Sequence, residues 1–295
     1  MKVLVTGANG LLGQKLVPLL QAKGYNVLAT GKGENRNSLA TQYATMDITN
    51  AEEVMQVITH FAPDWVVNTA AMTNVDQCET DHENCKAQNV DAVAYQIAAV
   101  KAVGAKLLHL STDFIFDGTA GPYLEEDKAN PLSYYGESKA DAEQLLFHSD
   151  IHWAIARTVL VYGIAPGLSR SNIILWVKSS LEQGKAINVV NDQWRTPTLA
   201  EDLALGCALI LEHDAHGIYN ISGKDLLTPH QMAMATANYF KLDTSLITEV
   251  DGSQFTQTAK RPPRTGFVID KARTNLGYEP HSFEEGIGIL ASQLA

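Results

Sequence analysis

Val5-Thr6-Gly7-Ala8-Asn9-Gly10-Leu11-Leu12-Gly13 follows a short apolar run and opens an amphipathic one. Its glycines, Gly7, Gly10 and Gly13, fall at G-x-x-G-x-x-G spacing, a variant of the dinucleotide fingerprint. Such a loop needs a tight turn, close approach of backbone to pyrophosphate, and close packing of helix on strand. The helix behind it offers backbone N–H groups and partial positive charge to the phosphates. Three glycines alone would mark only a turn. Placed after a strand and before an amphipathic helix, they predict a phosphate-binding loop.

Working outward, Lys2–Thr6 reads as a strand, Leu11–Lys23 as a helix and Tyr25–Thr30 as a strand. A short strand ends at Met46, Ala51–His60 is helical and Asp64–Asn68 is a strand. Val90–Val103 is helical and Ala105–Leu110 is a strand. Strands apolar on both faces, separated by helices, predict a parallel sheet covered on both sides. The fold class is therefore α/β, a Rossmann-type doubly wound parallel sheet whose ligand lies beyond the carboxyl ends of the strands.

After residue 150 the alternation loosens. Trp153–Arg157 reads as a strand and Asn172–Gln183 as a helix, and Thr198 with Glu201 fits a capping box opening a helix to about Leu211. Gly217–Ile221, a helix from Pro229 and the basic loop Ala259–Gly266 follow. With no repeat and no low-complexity linker, residues 1–165 are expected to form mainly the NADP-binding Rossmann domain. Residues 166–295 would form mainly a smaller substrate-binding lobe, discontinuous and packed on the first.

Bulk composition narrows the partners. The 295 residues are 45% hydrophobic, enough for a large core. A formal charge of −11 argues against nucleic acid or an anionic membrane as the main partner. No apolar run approaches the roughly 20 residues of a membrane span, and "MKVLVTG" runs straight into a strand, so a reducing cytoplasm is the expectation. Cys78, Cys85 and Cys207 lack metal-ligand spacing and read as small buried residues.

The end of the second strand bears on the cofactor. A carboxylate there would hold the ribose 2′-hydroxyl of NAD, and a basic residue would accommodate the 2′-phosphate of NADP. The sequence has no carboxylate at the strand end, Lys32 and Arg36 nearby, and Glu34 between them. NADP(H) is favoured, and NAD(H) stays open.

"SYYGESK", Ser133–Lys139, supplies the chemistry. Tyr135 has Lys139 four residues on, hence on its own helical face, whereas Tyr134 has Ser138 there. An unperturbed tyrosine titrates near 10, and a neighbouring ammonium lowers that value. Thr112 ends the upstream strand in "LSTDF", where a hydroxyl faces the cofactor crevice and can orient a carbonyl. Tyr135 would then protonate the developing alkoxide as general acid.

With these residues in place, the chain resembles the extended short-chain dehydrogenases/reductases, and within them the dTDP-4-dehydrorhamnose reductase family. The segments that carry the resemblance include "TGANGLLG", "MDITN", "VVNTAAMTNVDQCE", "LSTDFIFDG", "PLSYYGESKADAE", "VVNDQWRTPT" and "KRPPRTG". The resemblance implies a catalytic trio of Thr112, Tyr135 and Lys139, with Lys139 also reaching the nicotinamide ribose. It implies Gly10, Leu11 and Leu12 at the pyrophosphate, Asp47 and Ile48 at the adenine, and Ala70, Ala71 and Thr73 flanking the cofactor. It places Thr112 and Asp113 against the sugar, and Lys260, Arg261 and Arg264 near the diphosphate of a nucleotide-sugar substrate. Two positions depart from the family pattern. Leu160 stands where many members carry a substrate-facing tryptophan. Lys15 replaces the glutamate that bridges some members into magnesium-linked dimers, so no metal is expected and a homodimer stays open. The alternatives are an NAD-dependent epimerase and a regulatory role like that of the methionine adenosyltransferase regulatory subunit. Phe114, where the sister dehydratases carry glutamate, argues against dehydration.

Overall fold

Lys2–Thr6 (β1) is buried from its second residue onward, and the fold is arranged around it. The computed structural model describes residues 1–167, 172–255 and 257–294. In chain order, β1 is followed by α1 (Leu11–Ala22), β2 (Asn26–Gly31), β3 (Tyr43–Thr45), α2 (Ala51–Phe61) and β4 (Trp65–Asn68). Two short helices, α3 (Val75–Thr80) and α4 (His82–Lys86), lead into α5 (Ala92–Val103), β5 (Lys106–Thr112) and α6 (Tyr134–Phe147). Then come β6 (His152–Thr158), β7 (Val161–Tyr162), α7 (Ile173–Glu182), β8 (Ile187–Val190), β9 (Thr198–Leu199) and α8 (Ala200–Glu212). The chain closes with β10 (Gly217–Asn220), α9 (Pro229–Phe240), β11 (Ile247–Val250), α10 (Asp270–Leu276) and α11 (Phe283–Ser292).

Seven parallel strands form the central sheet in the order β10-β6-β5-β4-β1-β2-β3. The order reverses between β1 and β4, which makes the crevice at their carboxyl ends the place for a ligand. Both sheet faces are apolar because both are covered. One core gathers Val3, Val5, Leu16, Val67 and Leu108 with Ala204 of α8, and the other gathers Leu4, Val66, Leu107 and Ile155 with Val54 and Val100. Asn50 caps α2 by accepting from the N–H groups of Glu52 and Glu53, and Gly104 ends α5 in the left-handed conformation.

A further core lies off the sheet. Ile174, Met232, Ile287 and Leu290 join α7, α9 and α11, and Val177, Val189, Ala237 and Ile247 join α7 and α9 to the β8–β11 pair. Truncating one such leucine or isoleucine to alanine costs about 2–5 kcal/mol.

Two expectations change. The capping box at Thr198 is not formed. Thr198 lies in β9 and pairs with Val161, and its hydroxyl donates to Val159 O at 2.7 Å, so α8 starts at Ala200 without a side-chain cap. Strand pairing has taken the group that the local motif assigned to the helix. Capping boxes form instead at Thr228 with Gln231 and at Ser282 with Glu285. The helix expected from Val90 is preceded by a π-helical turn, Ala87–Asp91, that turns Asn89 inward.

Candidate active site

The three glycines of the first loop serve different steric needs. Gly7 has φ +63°, and a Cβ there would lie 2.8 Å from Ala70 N, because the loop crosses the end of β4 at that point. At Gly13 a Cβ would lie 2.5 Å from Ala8 Cα and Gly7 O, so α1 can seat on the loop only without a side chain. Gly10 is open, with Gly7 O at 3.2 Å as its one close neighbour. The first turn of α1, with Leu11 and Leu12, carries no acidic residue and no side-chain cap. Its N–H groups therefore remain for an external acceptor, as a pyrophosphate requires.

Residues around the loop define the rest of the crevice. Ala70 and Ala71 follow β4 half-buried, with Thr73 exposed beyond them. Asp47 and the half-buried Ile48 follow β3, and Lys32 Nζ lies 2.8 Å from Asp47 Oδ2. Burial opposes ionisation of Asp47, and Lys32 with Thr49 outweighs it, holding the carboxyl below its ordinary range. Asn9 was not singled out from the sequence. Its side chain accepts from Arg36 N–H at 2.7 Å and donates to Glu34 O at 2.9 Å and Tyr43 Oη at 3.0 Å. It thereby fixes the turn that presents Lys32 and Arg36.

Thr112 is the last residue of β5 and is nearly buried. Its hydroxyl donates to Asp113 Oδ1 at 3.1 Å and accepts from Phe114 N–H, which turns the chain away from the sheet. Tyr135 lies in the first turn of α6, whose N-cap Ser133 accepts from Gly136 N–H. Gly136 is the close-approach residue here, since a Cβ on it would lie 2.2 Å from Phe114 O. The ring of Phe114 meets Tyr135 edge-on with centroids 5.8 Å apart. The helix that carries Tyr135 is thus pressed against the turn that follows Thr112.

Lys139 is one helical turn further on and is 2% exposed. Its Nζ lies 3.0 Å from His109 Nε2, and His109 Nδ1 lies 3.1 Å from the Asn68 amide. Burial draws the ammonium down to about 8, against the opposing pull of Glu143 and Cys85. Ser138 donates to Tyr135 O at 2.8 Å and accepts from Asn89 at 3.0 Å. Asn89 also accepts from Met72 N–H at 2.8 Å, so the π-helical turn ties α6 to the segment after β4. Free thiols of Cys78 and Cys85 pack beneath Tyr135 with Met72.

The residues proposed for the sugar and diphosphate divide. Asp113 is buried, with Thr265 donating to Oδ2 and Arg195 Nε at 3.7 Å. Burial raises its carboxyl above the ordinary range, and Arg195 opposes the shift. Arg195, another residue the sequence reading passed over, donates to Pro262 O at 2.7 Å and Pro263 O at 3.4 Å. It therefore clamps the basic loop to the end of β5. Arg261 forms a bidentate pair with Asp76, both contacts at 2.6 Å, which holds the Asp76 carboxyl at about 2. Arg264 donates to Gly121 O and stays exposed over Trp194, with Lys260 also exposed. Of the three basic residues, Lys260 and Arg264 remain open to an anion.

Leu160 is 45% exposed in a left-handed conformation, φ +38°, between β6 and β7. Lys15 places its ammonium 2.8 Å from both Glu201 Oε1 and Gln293 Oε1. Among the described residues no group of three or more His, Cys, Asp or Glu could hold a metal ion, and no helix is long and apolar enough to cross a membrane. A cavity of about 290 Å³ between Pro18, Leu39 and Pro166 contains none of the trio.

The chain is similar in sequence and fold to known proteins. The chain is 31% identical over 287 residues to the spore coat polysaccharide biosynthesis protein SpsK of Bacillus subtilis, covering 97% of this chain and 95% of that one. It is 30% identical over 278 residues to methionine adenosyltransferase 2 subunit beta of Pongo abelii, covering 92% and 82%. A dTDP-4-dehydrorhamnose reductase of Bacillus anthracis, solved in complex with NADP, superposes with a TM-score of 0.88 at 27% identity over 99% of each chain. The RmlD substrate binding domain family matches residues 1–295, and the chain belongs to that family.

Proposed function

We propose that the chain is an NADPH-dependent reductase of a 4-keto sugar nucleotide, with dTDP-4-dehydrorhamnose as the leading substrate. The observation that carries this reading is the packing of α6, with Tyr135 and buried Lys139, against the turn after Thr112 and against His109 of β5, together with an uncapped glycine loop. The similarity to a reductase solved with NADP supports the cofactor, as do exposed Lys32 and Arg36 at the end of β2.

Bound NADPH supplies the hydride for the carbonyl carbon. When substrate binds, the Thr112 hydroxyl turns its single proton from Asp113 Oδ1 to the carbonyl oxygen and holds its orientation. The Tyr135 hydroxyl gives its proton to that oxygen as negative charge develops there. The ammonium of Lys139 stabilises the phenolate left behind. The uncapped first turn of α1 binds the pyrophosphate, and Lys32 with Arg36 meets the 2′-phosphate. Lys260 and Arg264 meet the substrate diphosphate, with Arg suited to bidentate contact. Asp113 accepts the Thr112 hydroxyl until the substrate arrives.

The test is NADPH oxidation with a panel of 4-keto sugar nucleotides. Turnover is expected with at least one, dTDP-4-dehydrorhamnose first. NADPH binding without turnover across the panel would refute the reductase and leave a binding role, as the similarity to methionine adenosyltransferase 2 subunit beta allows. Tightly held NAD in the purified protein would instead support an epimerase.

A further inference from the structure

The row of polar groups behind Lys139 runs straight across three strands. In the sheet register Thr6 of β1 stands opposite Asn68 of β4, and Asn68 opposite His109 of β5. Thr6 Oγ1 lies 2.7 Å from Asn68 Oδ1, Asn68 Nδ2 lies 3.1 Å from His109 Nδ1, and His109 Nε2 lies 3.0 Å from Lys139 Nζ. All four residues are at most 2% exposed. The row joins the amine to the strand that bears the glycine loop, and it has no outlet to solvent. A proton wire is therefore the wrong description of it.

We propose that His109 is a positioning residue for the reaction, its imidazole locked by Asn68 so that a lone pair on Nε2 holds the Lys139 ammonium charged one helical turn from Tyr135. This inference rests on the reductase reading of the same site.

The hydrogens available tie the tautomer of His109 to the charge on Lys139. An ammonium can only donate, so a charged Lys139 requires a lone pair on Nε2 and the ring proton on Nδ1. Asn68 then turns its amide oxygen to His109 and its NH₂ to Thr6. A neutral amine can accept as well as donate, so Nε2 is then free to carry the proton, with Nδ1 accepting from the Asn68 NH₂ and the Thr6 hydroxyl donating to Asn68 Oδ1. The two ends of an amide are isosteric, so both patterns fit the same heavy-atom distances. In both the ring carries one proton and no charge. A doubly protonated ring would point one of its protons at Lys139, and burial together with the Lys139 charge holds His109 well below its ordinary value.

The charges that favour the ammonium, Glu143 and Cys85, are themselves turned to other partners. Glu143, the next turn of α6, spends both carboxylate oxygens on Arg157 at 3.0 and 2.7 Å. Cys85 of α4 faces Ser138 and Asn89, and Asp113 is turned to Thr265 and Arg195. His109 is the neutral acceptor that lets a sealed ammonium persist.

The experiment has an activity arm and a cofactor-free arm. In His109→Leu the alkaline limb of kcat/KM is expected to move to lower pH by about one unit, the strength of one hydrogen bond to a charged group. In His109→Gln an amide oxygen can reach the Nε2 position, and the limb is expected to return toward that of the wild type. A purely structural role would lower thermal stability in both variants and leave the limb in place. In the cofactor-free protein, ¹⁵N spectra of the imidazole nitrogens, assigned by the signal lost in His109→Gln, should show one neutral ring throughout the neutral and mildly alkaline range. While Lys139 is charged the ring proton should stay on Nδ1, and it becomes free to move to Nε2 only once Lys139 loses its charge. An imidazolium at His109 above about pH 6, or an unmoved limb in His109→Leu, overturns the proposal. The spectra decide even if no substrate is turned over, so failure of this inference and failure of the reductase reading are separable.

Discussion

Gly136→Ala sets two effects of opposite sign against each other. On an isolated helix, alanine in place of glycine is worth about 1 kcal/mol in favour of the variant. Here the new Cβ would lie 2.2 Å from Phe114 O and 2.9 Å from Pro131 Cβ, where real Cβ atoms keep at least 3.0 Å. The obstructing atom is backbone, so no rotamer change relieves it, and α6 must move by about 1 Å from the turn after Thr112. Overpacking of this kind costs about 1–3 kcal/mol, which exceeds the propensity gain. The variant should therefore melt a few degrees lower than the wild type. The catalytic consequence is larger, because Tyr135 moves with the helix relative to Thr112. A displacement of about 1 Å at a reacting group costs on the order of 10²-fold in kcat/KM. The assay is NADPH consumption with a 4-keto sugar nucleotide, beside a thermal melt and an NADPH titration. NADPH affinity should fall far less than kcat/KM, since α1 and its loop are untouched and only the ribose contact of Lys139 shifts with α6. A Gly136→Ala protein that melts higher and turns over like the wild type would refute the claim that this contact places Tyr135.

Three further perturbations test other parts of the site. Arg195→Leu leaves Asp113 buried without its opposite charge and releases Pro262 and Pro263, so unfolding in urea should show a loss of about 3 kcal/mol together with weaker substrate binding. Lys139→Met should abolish turnover yet raise stability at neutral pH by about 1–2 kcal/mol, because it removes a charge whose burial has drawn the amine down to about 8. A depressed lysine costs stability below its folded value, and the cost fades up to its unfolded value, so the gain should shrink between pH 8 and about 10.5. Asp76→Asn removes a carboxylate held at about 2 by Arg261, a contribution present above the unfolded value and lost as pH falls towards 2. The variant should be weaker than the wild type at neutral pH by at most about 1 kcal/mol, since the pair is partly solvated, and the two acid-unfolding curves should converge near pH 2.

The frame of this fold was legible because it rests on local signals. Glycine spacing, both-face apolar strands and the strand–helix alternation each act within a few residues, and they gave the sheet and the loop directly. Tyr135 was separable from Tyr134 by helical spacing alone. What stayed hidden was set by distant partners. Thr198 carries a good helix-cap motif, yet pairing of β9 with β7 claims its hydroxyl for Val159 O. Arg261 and Arg264 look alike in the sequence, and only the presence of Asp76 in α3 shows that one of them is neutralised. His109, inside an apolar strand, reads as a core residue until α6 sets Lys139 against it. Asn89 and Arg195 act by joining segments far apart in the chain, and no local pattern marks such a role.

The central claim, that Tyr135 is the acid and Tyr134 is not, is tested most directly by comparing Tyr135→Phe with Tyr134→Phe in the NADPH oxidation assay. Tyr134 stacks on His82, with ring centroids 3.7 Å apart, while Tyr135 packs against Phe114 on the side of Thr112. Tyr135→Phe should lose about 10²–10⁴-fold in kcat while still binding NADPH, and Tyr134→Phe should retain most of its turnover. Substantial turnover in Tyr135→Phe, or an equal loss in both variants, would contradict the account.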